Sequence, residues 1–409
     1  MSDENQGYNI FDVMGYIVSG MDEEIVDNFI DKAECLKPEL SGVFKKFINL
    51  ITKSDFQLTS TEYASICSEI DNYLSQEKYI ELIIFVRECD IKIDDFNHSY
   101  KYFINTTKTL NVLSSLNNEH TDVVIILPRL YPFWINPYKP KIPHVHDRDF
   151  NRVMVHYNII RTNQLNNYKV VYHYLIEDSL QTKLIKDECV KIGLSPITKN
   201  ATLKQELLDG EFIVTGTDDE QQITKRVISI LEDMIAHDCM AVAFPELLGS
   251  QQVVDVVKRL LREKYASQFI IIILPTYNKD GFNHACVLGP QGRELLGQNK
   301  QMPFKWEKEG TCRTEHIERD KVIHILGLKG LGNMAIPICA DLLVKKYQGI
   351  LYDVLGVSLI MCPSFSSGMQ EFEKDLFIGI KNKGISSWIN TCSVEKNLNP
   401  TYFLADKNK

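Results

Sequence analysis

Through most of the first 120 positions apolar residues recur at spacings of three and four, with little glycine or proline to interrupt them. The windows Glu23 to Leu36, Leu40 to Thr52, Thr61 to Tyr73 and Glu77 to Glu88 each carry one apolar stripe, the pattern of a helix packed on one side. Asp and Ser at several of the segment starts suit N-caps. No set of chemistry-bearing side chains converges here, and the stretch reads as a small helical domain.

The pattern breaks at Pro128, Pro132, Pro137, Pro140 and Pro143, five of the chain's 14 prolines, interleaved with Tyr131, Phe133, Trp134 and Tyr138. Prolines this dense exclude helix and central strand, so the segment is expected to be an extended connector that packs through its aromatics. A boundary near residue 145 follows, giving domains 1–145 and 146–409. Beyond it, short apolar runs alternate with helical periodicity. Arg152 to Arg161 and Tyr168 to Ile176 suggest an antiparallel pair. Expected strands follow at Glu211–Thr215, Met240–Phe244, Phe269–Leu274, Ala285–Leu288, Val322–Leu326, Met334–Cys339, Val357–Cys362 and Ser386–Thr391. Helices are expected at Asp219–His237, Gln251–Tyr265, Asp341–Leu355 and Met369–Lys383. The alternation predicts a layered α/β domain.

Composition narrows the function. Net charge is −9 without a long basic run, which argues against a nucleic-acid partner. The polar start, Met1-Ser2-Asp3-Glu4, is unlike a signal peptide, and no apolar stretch approaches the roughly 20 residues a membrane helix needs. The 10 cysteines are scattered and form no C-x-x-C pair, so neither a zinc site nor a disulfide framework is expected. A cytoplasmic protein with reduced thiols is the resulting expectation.

Three strand ends carry candidate chemistry. Phe244-Pro245-Glu246 places a carboxylate where proline stops an apolar run. A loop glutamate of this kind is as often merely solvated. Lys300 follows a strand–turn–strand pattern through Gly289-Pro290-Gln291-Gly292, and a lone lysine would ordinarily lie on the surface. Cys339 ends an apolar strand just before a predicted helix, whose N-terminus would favour thiolate; a buried core cysteine is the plain alternative. A base, a cation and a sulfur nucleophile suffice to open a carbonyl–nitrogen bond without a metal. Two further motifs fail on context. His144-Val145-His146-Asp147 follows prolines rather than a strand, and the glycine-rich 327–332 lies between strands rather than before a helix.

In this order, with 54 residues between Glu246 and Lys300 and 39 between Lys300 and Cys339, the motifs resemble the nitrilase superfamily of carbon–nitrogen hydrolases. The likeness covers roughly residues 211–395. It includes the hairpin ahead of Lys300, the Ile338-Cys339-Ala340-Asp341 nucleophile pattern and the later Pro363-Ser364. The resemblance implies an αββα sandwich preceded by the small helical domain, and a Glu246–Lys300–Cys339 triad that works through a thioester. It also implies a backbone N–H near Ala340 facing the oxyanion, and a second glutamate after the lysine, for which Glu307 is preferred over Glu309. It implies a small-molecule amide or nitrile substrate, an amidase activity first among the alternatives, no cofactor or metal, and a homodimer. Glu211–Thr215 stands where the first strand of such a domain is expected, with Arg152–Arg161 as the alternative. The chain departs from the family in having Ala340 rather than an aromatic after the cysteine, and Leu342-Leu343-Val344-Lys345-Lys346 where an arginine is usual. The competing class is a nitrilase-like scaffold or partner-dependent module, as in bacterial phage-defence proteins, whose helical region binds another macromolecule.

Overall fold

The computed structural model describes residues 8–53 with gaps at 23, 27, 30, 31 and 33–40, then 57–92, 124–128, 154, 157–175 and 191–198. It further describes 201–366 without 309 and 329–331, residue 372, 386–391 and 402–405. The expected boundary near 145, the aromatic connector, the His144–Asp147 motif, most of the Glu23–Leu36 helix and the Met369–Lys383 helix lie outside these residues. The described chain divides into two compact units that meet in sequence at Asn166 and Asn167.

The first unit holds helices Ile10–Ser19, Gly42–Lys53, Ser60–Ser75 and Tyr79–Lys92, together with strands Val124–Pro128 and Tyr157–Arg161 paired antiparallel. Ile10–Ser19 and Ser60–Ser75 open on capping boxes at Asn9 and Thr59, which satisfy otherwise orphaned N–H groups. Val13, Met14, Ile17, Phe44, Ile70 and Phe85 close a continuous apolar core. The unit is therefore mixed, because its core recruits a strand pair as well as helices. The expected pairing of the segments near 152–161 and 168–176 does not form. Tyr157–Arg161 joins Val124–Pro128, whereas Lys169–Leu175 belongs to the second unit and runs parallel to Val322–Leu328. The 3₁₀ turn Thr162–Leu165 and left-handed Asn166 and Asn167 separate the two strands instead of folding one onto the other.

The second unit is a mixed α/β structure built on two six-stranded sheets. In one, Ile192–Leu194, Ala241–Ala243 and Ile271–Ile273 run parallel, and Phe282–Leu288 pairs antiparallel with Ile271–Ile273, Tyr277–Lys279 and Glu294–Asn299. In the other, the order is Lys169–Leu175, Val322–Leu328, Gly332–Ala335, Leu359–Ser364, Ser386–Thr391 and Tyr402–Ala405. The first strand of that sheet is thus Lys169–Leu175, not either expected candidate. Glu211–Thr217 lies elsewhere, in a separate four-stranded sheet with Leu203–Leu208, Thr311–Glu315 and Lys305–Lys308.

The uninterrupted apolar runs of the sequence have a simple cause. Side chains alternate across a strand, and the central strands are covered on both faces. Ala241, Ala243, Ile271, Ile273 and Val287 pack with Leu326, Met334 and Met361 of the other sheet. Val242, Ile272, Cys286 and Leu288 face the opposite way, onto Val227 and Leu231 of helix Glu220–Ala236 and Val253, Val257 and Leu261 of helix Gln251–Glu263. With both faces covered, the catalytic candidates have only the strand ends from which to reach solvent. The expected helix Asp341–Leu355 is broken into a 3₁₀ turn Cys339–Leu343, a short helix Lys345–Gly349 and a π turn Ile350–Val354, because Val344 is extended. Among the described residues, no helix is long and apolar enough to cross a membrane.

The loop after strand Ala241–Ala243 is clamped to a neighbouring segment. Thr276 N–H donates to the Pro245 carbonyl at 3.3 Å and Gly249 N–H to the Thr276 carbonyl at 2.9 Å. A Cβ on Gly249 would lie 2.1 Å from the Pro275 carbonyl oxygen, so only glycine permits this approach of two backbones. Gly249→Ala is expected to cost about 1–3 kcal/mol or more, as overpacking does. Urea unfolding checks the loss, and an unchanged midpoint would show that the loop is not held this way.

Candidate active site

Three strand ends of the second unit converge. Glu246 follows strand Ala241–Ala243, Lys300 follows Glu294–Asn299, and Cys339 follows the run from Gly332–Ala335 through Ile338. The strand–turn–strand pattern ahead of the lysine is a hairpin in the structure, with His284 opposite Asn299. Lys300 Nζ donates to Glu246 Oε1 at 2.7 Å. The Cys339 thiol and the same carboxylate act on each other electrostatically. Glu246 and Lys300 are 1% exposed and Cys339 4%, all three lining a cavity of about 490 Å³.

The second carboxylate is Glu315, not Glu307. Lys300 Nζ donates to Glu315 Oε2 at 2.6 Å, and the Phe304 N–H donates to the same oxygen at 2.9 Å. Glu307 is exposed on strand Lys305–Lys308, opposite Cys312, and Glu309 lies outside the described residues. A second hairpin, Lys305–Lys308 paired antiparallel with Thr311–Glu315, explains the difference. Its return strand Thr311–Glu315 brings Glu315 back beside Phe304, whose carbonyl accepts the Glu315 N–H at 2.8 Å. Nothing local in the sequence marks Glu315. The turn signal at Gly310 is what could have pointed to a returning strand.

Two polar residues support the cluster. Asn283 Nδ2 donates to Glu246 Oε1 at 2.9 Å and to Glu315 Oε1 at 3.2 Å, so one buried amide holds both carboxylates. Asp341 accepts from the Ile338 N–H at 3.0 Å, the Gln301 N–H at 2.9 Å and the Met302 N–H at 2.7 Å. It thereby ties the turn that holds the cysteine to the segment leaving Lys300. Burial pushes its carboxyl up to about 7, opposed by those N–H groups and by Lys300.

Ser364 stitches the strand ends together. Its carbonyl accepts the Glu246 N–H at 3.2 Å, and its hydroxyl donates to Cys339 Sγ at 3.3 Å. The Phe365 N–H also reaches the sulfur. Cys339 has φ +46°, a left-handed conformation that strains a non-glycine residue by about 1–3 kcal/mol. Such strain persists only where the surroundings over-determine the residue, as they do here.

Electrostatics set the resting protonation. Lys300 remains an ammonium: burial opposes the charge, but Glu246, Glu315 and Cys339 together hold its pKa well above the usual lysine range. Burial pushes Glu246 upward, and Glu315 adds to this while Lys300 opposes it. The Cys339 thiol is pushed up to about 12 by burial and then by the Glu246 charge, against Lys300 and the Ser364 and Phe365 donors. The cysteine therefore rests as a thiol. The expected helix N-terminus is a single 3₁₀ turn, too short to offset burial beside a carboxylate. Ala340 is half-buried in that turn and is not among the residues lining the cavity. Among the described residues, no group of three or more His, Cys, Asp or Glu side chains is arranged to hold a metal ion.

No family model matches the sequence, and no curated protein matches it. Solved structures that it resembles are carbon–nitrogen hydrolases of the nitrilase superfamily. A mutant of the amidase from Nesterenkonia sp. AN1, with acrylamide added at its active-site cysteine, shows 12% identity and a TM-score of 0.36 over 45% of this chain and 80% of its own. Saccharomyces cerevisiae Nit3, of branch 10 of the superfamily, shows 14% identity and a TM-score of 0.36 over 53% and 82%. A carbon–nitrogen hydrolase from Helicobacter pylori G27 shows 12% identity and a TM-score of 0.34 over 47% and 79%.

Because Glu246 raises the Cys339 pKa, Glu246→Gln is expected to lower it and to speed alkylation of Cys339 by iodoacetamide at about pH 9, where more thiolate forms. Peptide mass mapping against pH, with exposed Cys312 as the reference thiol, reads the shift. An unchanged profile would mean that the two side chains are not coupled.

Proposed function

We propose that the chain is a hydrolase that opens a non-peptide carbon–nitrogen bond of the amide class through a thioester on Cys339. The reading is supported above all by one carboxylate, Glu246, that hydrogen-bonds the Lys300 ammonium and lines the same cavity as the Cys339 thiol. In this reading the second unit is an αββα sandwich of the nitrilase kind.

The steps follow from the atoms present. Glu246 takes the thiol proton as Cys339 Sγ attacks the amide carbonyl carbon, and the carbonyl π electrons move to oxygen. Lys300 stabilises that oxyanion. An ammonium has three N–H donors, of which Glu246 and Glu315 engage two, leaving one for the substrate oxygen. The intermediate collapses, the carbon–nitrogen bond breaks, and Glu246 gives its proton to the departing nitrogen. Glu246 then takes a proton from water, whose oxygen attacks the thioester carbonyl. The carbon–sulfur bond breaks and the proton returns to sulfur, leaving a carboxylic acid and ammonia or an amine. Resting as a thiol fits this sequence, because the proton needed by the leaving nitrogen is supplied by the nucleophile. Glu315 and Asn283 touch neither reacting bond and act by positioning Lys300 and Glu246.

Intact-mass measurement after incubation with a panel of primary amides is expected to show an acyl adduct on Cys339. Glu246→Gln, Lys300→Ala and Cys339→Ala should each lower turnover by roughly 10²–10⁴-fold or more, and double variants should lose little beyond the singles. Turnover that survives Cys339→Ala would remove the thioester from the mechanism.

A further inference from the structure

The cavity extends beyond the reacting groups, and its outer wall is the four-stranded sheet. Adjacent strands place Gln205 opposite Val214, Leu207 opposite Phe212, and Phe212 beside Glu315. Directly paired residues share a face, so Val214, Gln205 and Phe212 project to the same side as Glu315, toward Lys300. The hairpin continues that face through Phe304 and Trp306. The surfaces so presented are apolar: Leu203, Phe212, Val214, Phe304, Trp306 and, from beyond strand Leu359–Ser364, Phe365. Thr202, Gln205 and Ser366 add neutral hydrogen-bonding groups. Among the described residues, the charged side chains lining the cavity are Glu246, Lys300 and Glu315, which pair with one another.

We infer that this wall is an acyl subsite that selects amides with a neutral, apolar acyl group, aromatic or extended aliphatic, over small or charged ones. The assignment builds on the amide-hydrolase reading of the same site. A charged acyl tail would lose hydration against this wall, whose described charges already pair with one another, whereas an apolar one gains from leaving water. A volume of about 490 Å³ is in the range of pockets that enclose whole small molecules and exceeds what acetamide fills. The closest competing feature is Arg313. It is half-buried opposite Trp306 on the same sheet face, but it does not line the cavity.

The wall also carries part of the reaction centre. Glu315 ends strand Thr311–Glu315 and accepts from both Lys300 and the Phe304 N–H, so the acyl wall and the grip on the lysine are one piece of sheet. A substrate seated on Phe304 and Phe212 would lie directly against the strand that positions the ammonium.

The test uses the full-length Cys339→Ala protein, which retains the wall but not the nucleophile, with binding measured by calorimetry. The probes are acetamide, phenylacetamide and a set of similar length: neutral hexanamide, cationic 6-aminohexanamide and anionic adipamate. Hexanamide and phenylacetamide are expected to bind at least tenfold more tightly than acetamide and the two charged amides. Trp306→Ala, at a side chain already 40% exposed, should weaken phenylacetamide severalfold and leave acetamide unchanged. Tighter binding of adipamate than of hexanamide, abolished by Arg313→Ala, would overturn the inference in favour of an anion site. Equal binding of all probes, or none, would also overturn it. Failure of the hydrolase reading looks different: the apolar amides bind to Cys339→Ala, but the wild-type protein forms no adduct and releases no ammonia.

Discussion

An ammonium with 1% of its surface exposed must be neutralised where it sits, and the architecture around Lys300 follows from that requirement. One carboxylate would complete an ion pair; two leave the cluster with a net negative charge when both are ionised. Burial raises both Glu246 and Cys339, and the neighbouring carboxylate adds to it in each case. The six-stranded sheet supplies Lys300 and Glu246 from two strands linked through Ile271–Ile273 and Phe282–Leu288. The four-stranded sheet supplies Glu315. Removing one carboxylate would leave a buried charge with half its partners, so the two sheets are constrained to meet at the lysine.

The placement of Cys339 depends on a second constraint, the clamp formed by Asp341 and Ser364. Asp341 fixes the turn against Gln301 and Met302, and Ser364 touches both the Glu246 backbone and the Cys339 sulfur. Cys339 can hold a left-handed backbone because its neighbours are fixed on both sides. The aspartate of Ile338-Cys339-Ala340-Asp341 is thus explained by backbone N–H groups that need an acceptor in a dry interior, not by a step in the chemistry.

The two units differ in what they offer. The first closes a core of helices and a strand pair. The second places every residue of the proposed mechanism on strand ends, where sheets buried on both faces leave access to solvent.

Much of the candidate site was legible in the sequence, because Glu246, Lys300 and Cys339 each sit at the end of an apolar run. Strand periodicity and turn residues are local properties, and they located the central strands, the hairpin before Lys300 and the helices Glu220–Ala236 and Gln251–Glu263 to within a few residues. Pairing is not local. Lys169–Leu175 looked like the partner of its sequence neighbour and instead joined Val322–Leu328, about 150 residues away, because registry is decided by which faces need covering. Glu315 was missed for the same reason: a glutamate in a hairpin becomes a lysine's partner only when a returning strand carries it there. The thiol's protonation reversed as well, since a helix start argues for thiolate only if burial and a neighbouring carboxylate do not outweigh it. Sequence alone determined which residues could do the chemistry. Tertiary structure decided which of them are dry, paired and aimed at one cavity, because burial and charge pairing arise only between segments distant along the chain.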